Sequence, residues 1–123
     1  MAAAFQILFR GSPAIYYGDE IGMEGENDPG CRAGTTWDHM DSDLLSWTKN
    51  LISIRKKHPA AINGKCCLSV RNDGCLVLER TLDSDRVTAV FNKKSNSIFL
   101  DSPDVPGKVD VPAHSVKIIF STL

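Results

Sequence analysis

A chain of 123 residues with 42% hydrophobic and 24% charged side chains has the make-up of an ordinary globular protein of one domain or a little more. Its formal net charge of −1 leaves no field strong enough to gather nucleic acid or an anionic membrane surface, and its apolar runs are too short to cross a bilayer. The start, "MAAAFQILFRG", lacks the basic region of a signal peptide, and the four cysteines (Cys31, Cys66, Cys67, Cys75) contain no C-x-x-C. These features point to free thiols in the cytoplasm.

In chain order, "AAAFQILF" (2–9) is rich in helix formers and reads as the end of a helix, broken by "RGSP". "AIYY" (14–17) is a continuous apolar run without alternation, the pattern of a parallel strand covered on both faces. An acidic loop follows, carrying Asp19, Glu20, Glu24, Glu26 and Asp28. "DSDLLSWTKNLISIRKKHP" reads as a helix, with Asp41 or Ser42 as its N-cap. Leu44, Trp47, Leu51 and Ile54 form its apolar stripe, broadened by Leu45 and Ile52. Arg55, Lys56 and Lys57 face the negative end of its dipole, and Pro59 stops it.

From Lys65 the period changes to two. "CCLSV", "CLVLERT", "RVTAVFN", "SIFL", "KVDV" and "SVKIIF" are separated by "RNDG", "DSD", "NKKSN", "SPDVPG" and "PAH". Short strands so closely spaced predict an antiparallel β-sandwich. The chain thus divides into residues 1–60, with helices around one apolar strand, and residues 61–123, which are all β. A parallel strand needs a parallel neighbour reached by a crossover, and "AIYY" has none in this sequence. The expected fold class is therefore α+β as a fragment, in which the strand belongs to a larger α/β unit; pairing within the sandwich or across a dimer is the alternative.

The stretch "GSPAIYYGDEIGMEGENDPGCR…W" resembles the eighth-strand segment of the alpha-amylase family of glycoside hydrolases, in its neopullulanase, cyclomaltodextrinase and maltogenic amylase branch. The match runs from Gly11 through Met23, Ala14 excepted, and resumes at Asn27, Asp28, Pro29, Cys31, Arg32, Trp37 and Asp38. "LLSWTKNLISIRKKHPA" is similar to that family's last barrel helix, and the β segments to its terminal β-domain. The resemblance implies that residues 1–60 are the last strand and helix of a (β/α)8 barrel and that 61–123 are the C-terminal sandwich. It also implies an α-glucan partner: starch-like glucans, pullulan or cyclomaltodextrins, hydrolysed at α-1,4 or α-1,6 bonds. Barrel active sites lie at the C-terminal ends of the strands, which makes Asp19, Glu20, Arg32 and Trp37 the substrate-proximal residues.

The family's retaining mechanism needs a nucleophile and an acid/base carboxyl group about 5–5.5 Å apart. These come from strands four and five, with a stabilising Asp after strand seven, all ahead of Met1. No catalytic residue is assigned here, and the chain is expected to be inactive alone. "CRAGTTW" departs from the family's C-R-R-P-M-x-W, which removes one arginine contact. No cofactor is expected; "DEIGMEGEND" admits calcium but lacks EF-hand spacing. His39 with Asp41 reads as surface before a capped helix. Tyr16 and Tyr17 are expected on opposite sides of their strand. A carbohydrate-binding or interaction β-domain is the alternative function, but Phe91, Phe99 and Phe120 read as core rather than as a sugar platform. Leu8, Phe9, Ile15, Tyr16 and the helix stripe are patterned for missing barrel strands, which predicts either a mobile N-terminal half or self-association through residues 1–55.

Overall fold

The computed structural model describes residues 1–35, 37–71, 73–101 and 108–122. Three α-helices precede six strands: α1 (Ala2–Leu8), α2 (Ser42–Lys57), α3 (Pro59–Asn63), β1 (Lys65–Val70), β2 (Leu76–Leu82), β3 (Asp85–Asn92), β4 (Ile98–Leu100), β5 (Val109–Val111) and β6 (Ser115–Thr122). One-turn 3-10 helices occupy Asp19–Ile21, Gly30–Arg32 and Trp37–His39. All six predicted strands are present. They form a four-stranded antiparallel sheet in the order β1-β2-β3-β6 and a two-stranded sheet, β4-β5. The turn "SPDVPG" lies outside the described residues.

Alternation along β3 explains the layering. Val87, Ala89 and Phe91 join Leu78 of β2 on one face, where they pack against Ala4, Ile7 and Leu8 of α1, Leu51 of α2 and Ala61 of α3. Val90 and Val77 point the other way, into a second cluster with Ile98, Leu100 and Val111 of the small sheet. The large sheet is thus sandwiched between helices and a small second sheet. Removing this much apolar surface from water is the main source of stability.

Two sequence expectations change, and one open alternative closes. Leu8 is 1% exposed and Leu51 fully buried, both against the antiparallel sheet rather than bare for absent barrel strands. Residues 12–16 join no ladder with any described segment, so "AIYY" finds no partner within this chain, as its parallel-strand pattern implied, and the alternative of pairing within the sandwich is ruled out among the described residues. A strand is defined by its neighbour, and none is supplied. Of the phenylalanines read as core, Phe91 alone is buried; Phe99 is 65% and Phe120 47% exposed, and the latter stacks on the His58 ring at 4.4 Å.

Local chemistry sets the helix ends. Asp41 caps α2, its Oδ1 accepting from the amides of Asp43 (3.0 Å) and Leu44 (2.8 Å). Pro59 does stop α2, and it also opens α3 at the first position, where its missing N–H costs nothing. No helix among the described residues is long and apolar enough to cross a membrane.

Candidate functional site

The site is built around residues 16–33. Gly18 (φ +92°) and Gly22 (φ +72°) take left-handed conformations on either side of the Asp19–Ile21 turn. A Cβ at Gly18 would also stand 2.7 Å from the Met23 sulfur, so this tight corner excludes a side chain. Ile21 is buried, and its carbonyl accepts from the Asp41 amide at 3.0 Å, fastening the turn to the start of α2.

Because residues 14–17 are not part of a pleated ladder, Tyr16 and Tyr17 do not diverge as expected. Their ring centroids lie 4.8 Å apart, and both line a hollow of about 150 Å³ with Asp19, Met23, Glu24 and Cys31. The Tyr17 hydroxyl donates to the carbonyl of Ala33 (3.0 Å) and reaches that of Cys31 (3.4 Å), holding the far wall. Desolvation first, and then the neighbouring Tyr16, raise the Tyr17 phenol above its ordinary value, which keeps it a donor.

Asp19 and Glu20 diverge, although through a 3-10 turn rather than an extended chain. Asp19 is exposed at the hollow. Glu20 turns back, its Oε2 accepting from the Gly18 amide at 3.0 Å, and lines a separate groove with Ile15, Leu45 and Ile52. Arg32 lies 3.2 Å from Asp28 in an exposed ion pair, and Trp37 is 71% exposed; neither lines the hollow. The structure therefore brings Asp19 together with Tyr16 and Tyr17, sets Glu20 in a neighbouring groove that Tyr17 also lines, and leaves Arg32 and Trp37 apart. Among the described residues no three His, Cys, Asp or Glu side chains converge as metal ligands. Asp41 is the helix cap, and His39 is exposed.

Comparison with known proteins bears directly on this segment. A cyclomaltodextrinase from Geobacillus thermopakistaniensis is 38% identical over 109 residues, which is 85% of this chain and 18% of that protein. A maltogenic alpha-amylase from Bacillus acidopullulyticus is 31% identical over 94% of this chain and 20% of its own length. The chain is a relative of the alpha-amylase family. Neopullulanase 2 of Thermoactinomyces vulgaris is a further relative, at 31% identity. No protein-family model matches the chain.

Among solved structures, a maltogenic amylase from S. marinus superposes over 98% of this chain with a TM-score of 0.86 at 28% identity, using 19% of that enzyme. The cyclic alpha-maltosyl-(1→6)-maltose hydrolase of Arthrobacter globiformis, at 22% identity, shares the fold with a TM-score of 0.89, over 99% of this chain and 29% of its own. The chain spans about a fifth of the length of the curated relatives it matches.

Two features of the helix–sheet junction escaped the sequence. Arg80, a charged side chain in the middle of β2, is only 1% exposed. Asp85, at the start of β3, accepts from the His58 ring (2.8 Å) and the Ala60 amide (3.0 Å). Such side chain-to-backbone links are set by three-dimensional proximity, and no local pattern announces them.

Proposed function

We propose that this chain is the C-terminal portion of an alpha-amylase-family glycosidase that hydrolyses α-1,4 and α-1,6 glucosidic bonds in starch-like glucans, pullulan or cyclomaltodextrins. In this reading residues 1–60 are the end of the (β/α)8 barrel and residues 61–123 its terminal β unit. The observation that carries it is the alignment of 85% of this chain to 18% of a cyclomaltodextrinase, together with the run Gly11–Met23. Asp19 stands at the rim of the sugar cleft, where its carboxylate accepts hydrogen bonds from glucosyl hydroxyls beside Tyr16 and Tyr17. Arg32 and Trp37 contribute from the following loop, and Glu20 braces the turn through the Gly18 amide.

A retaining glycosidase needs two carboxyl groups facing each other across the scissile bond. Asp19 and Glu20 open onto different hollows and do not make such a pair. Catalysis therefore belongs to the part of the relatives that this chain does not match. A reducing-sugar assay of the 123-residue chain with cyclomaltodextrin or pullulan is expected to stay at the buffer level. Turnover abolished by Glu20→Gln would refute this assignment.

The apolar groove continues along α2, through Ile15, Ile52 and Ile62 beside Pro13. Ile15, Tyr16, Tyr17 and Ile62 are each more than a third exposed. This surface supports self-association through residues 1–55 whenever the rest of a barrel is not there to cover it.

A further inference from the structure

Arg80 is buried with no carboxylate partner among the described residues. Among the described residues its guanidinium donates to backbone carbonyls alone: Nη1 to Leu8 (2.9 Å), and Nη2 to Gly64 (3.0 Å) and Ile62 (3.3 Å). Arg55 of α2 treats the same stretch of chain in the same way, donating to the carbonyls of Ile7 (2.6 Å), Phe9 (3.0 Å) and Gly11 (2.5 Å). Burial, with the adjacent Arg80 as a second cause, holds the Arg55 guanidinium below its usual range. Two desolvated like charges are an expensive way to fill space. What they supply is direction, because a planar fork fixes both the distance and the angle of the acceptors it grips.

The carbonyls of Ile7, Leu8, Phe9 and Gly11 are those left over at the end of α1 and just beyond it, while those of Ile62 and Gly64 close α3, so Arg80 ties the two helix ends to one point of β2 and Arg55 adds its hold on the first. The gripped chain runs directly into Ser12–Tyr17 and on to Asp19. Halfway along, the Gln6 side-chain amide donates to the Ala14 carbonyl. At the far end Ile21 is fixed by burial and by the Asp41 amide. Between these points residues 11–17 are exposed and join no ladder, so their path is set by where the strap is fastened.

We propose that Arg80, acting with Arg55, is a positioning residue: through it the central sheet sets where Tyr16, Tyr17 and Asp19 stand. That these side chains form the rim of a sugar cleft rests on the proposed function; the grip itself does not. The β unit then serves the cleft by holding it in place, without touching sugar.

The test uses the whole chain and the variant Arg80→Lys, which keeps the charge but cannot span three carbonyls. Trypsin cleavage after the exposed Arg10 and the amide resonances of Tyr16–Glu20 are followed together. Cleavage is expected to accelerate at least tenfold, and the resonances to shift. Val90→Ala, on the opposite face of the large sheet, is the control: it lowers the urea midpoint and should leave both readouts at the parental value. An Arg80→Lys chain that moves neither readout, or a Val90→Ala chain that moves both to the same extent, overturns the proposal. If Arg80→Lys does not fold, Arg55→Lys, at a half-buried site, is read by the same criteria. A change in the reducing-sugar result would bear on the proposed function alone.

Discussion

Asp85 offers the sharpest energetic test of how the helices are joined to the sheet. Both carboxylate oxygens are in use, Oδ1 with the His58 ring at 2.8 Å and Oδ2 with the Ala60 amide in the first turn of α3 at 3.0 Å. Its side chain is 25% exposed. Burial on its own would raise the Asp85 pKa, but the bonds from His58 and Ala60 outweigh it and the net direction is downward. A carboxyl group whose folded pKa is depressed contributes stability fully present above its unfolded value of about 3.9, and loses it as pH falls through the folded value. Hydrogen bonds to a charged group contribute about 1.5–3 kcal/mol each. Water can replace part of that at a quarter-exposed site, so Asp85→Ala should cost about 2–3 kcal/mol at pH 7. Asp85→Asn, which keeps one acceptor, should cost about 1 kcal/mol. Urea unfolding of the three proteins at pH 7 and pH 3 reads both effects, and the gap between parent and Asp85→Ala should narrow at the lower pH. An equal gap at both pH values, or one under about 0.5 kcal/mol at pH 7, would refute the reasoning.

Asn92 is fully buried, with Nδ2 donating to the carbonyls of Asn96, Val111 and Pro112 and Oδ1 accepting from the Lys94 amide. Asn92→Ala should destabilise by about 2–4 kcal/mol in urea titration, and Asn92→Asp by more, since a carboxylate would face three carbonyl oxygens. Gly64 has an ordinary φ of −70°, but a Cβ there would lie 2.4 Å from the Ala60 carbonyl oxygen and 2.8 Å from that of Thr81. Gly64→Ala should therefore lower stability by about 1–3 kcal/mol through overpacking alone, seen as a drop in Tm. Sedimentation velocity should show concentration-dependent association that Ile52→Glu abolishes; a compact monomer at all concentrations would contradict the exposed groove.

The strands from Lys65 onward were legible because period-two alternation and turn residues are local signals, and α2 because its stripe and its Asp41 cap are. The motif around Gly18–Asp19–Glu20 pointed to the family, and the relatives bear that out. Pro59 is ambiguous in sequence: the same ring that ends one helix begins another. For "AIYY" the sequence left two pairings open, and the missing ladder removes the one within the sandwich, because an apolar run reports what a segment could pair with while a ladder depends on a partner far away or in another part of a protein. For the site, sequence grouped Asp19, Glu20, Arg32 and Trp37 but could not foresee that Glu20 folds back on Gly18, that Arg32 is held by Asp28, or that both tyrosines stand beside Asp19. The roles of Arg80 and Asp85 depend on contacts spanning 72 and 25 residues, beyond the reach of any periodicity.

The cluster that joins Ile7 and Leu51 to Leu78, Val87 and Phe91 also bears on modular engineering. A cut after residue 60 would follow the change in sequence character, yet it would pass through a shared interior. A β unit transplanted alone into another scaffold would present the bare face of its central strands to solvent. Grafting this unit therefore means carrying α1 and the buried side of α2 along with it, because the seam visible in the composition is not a seam in the packing.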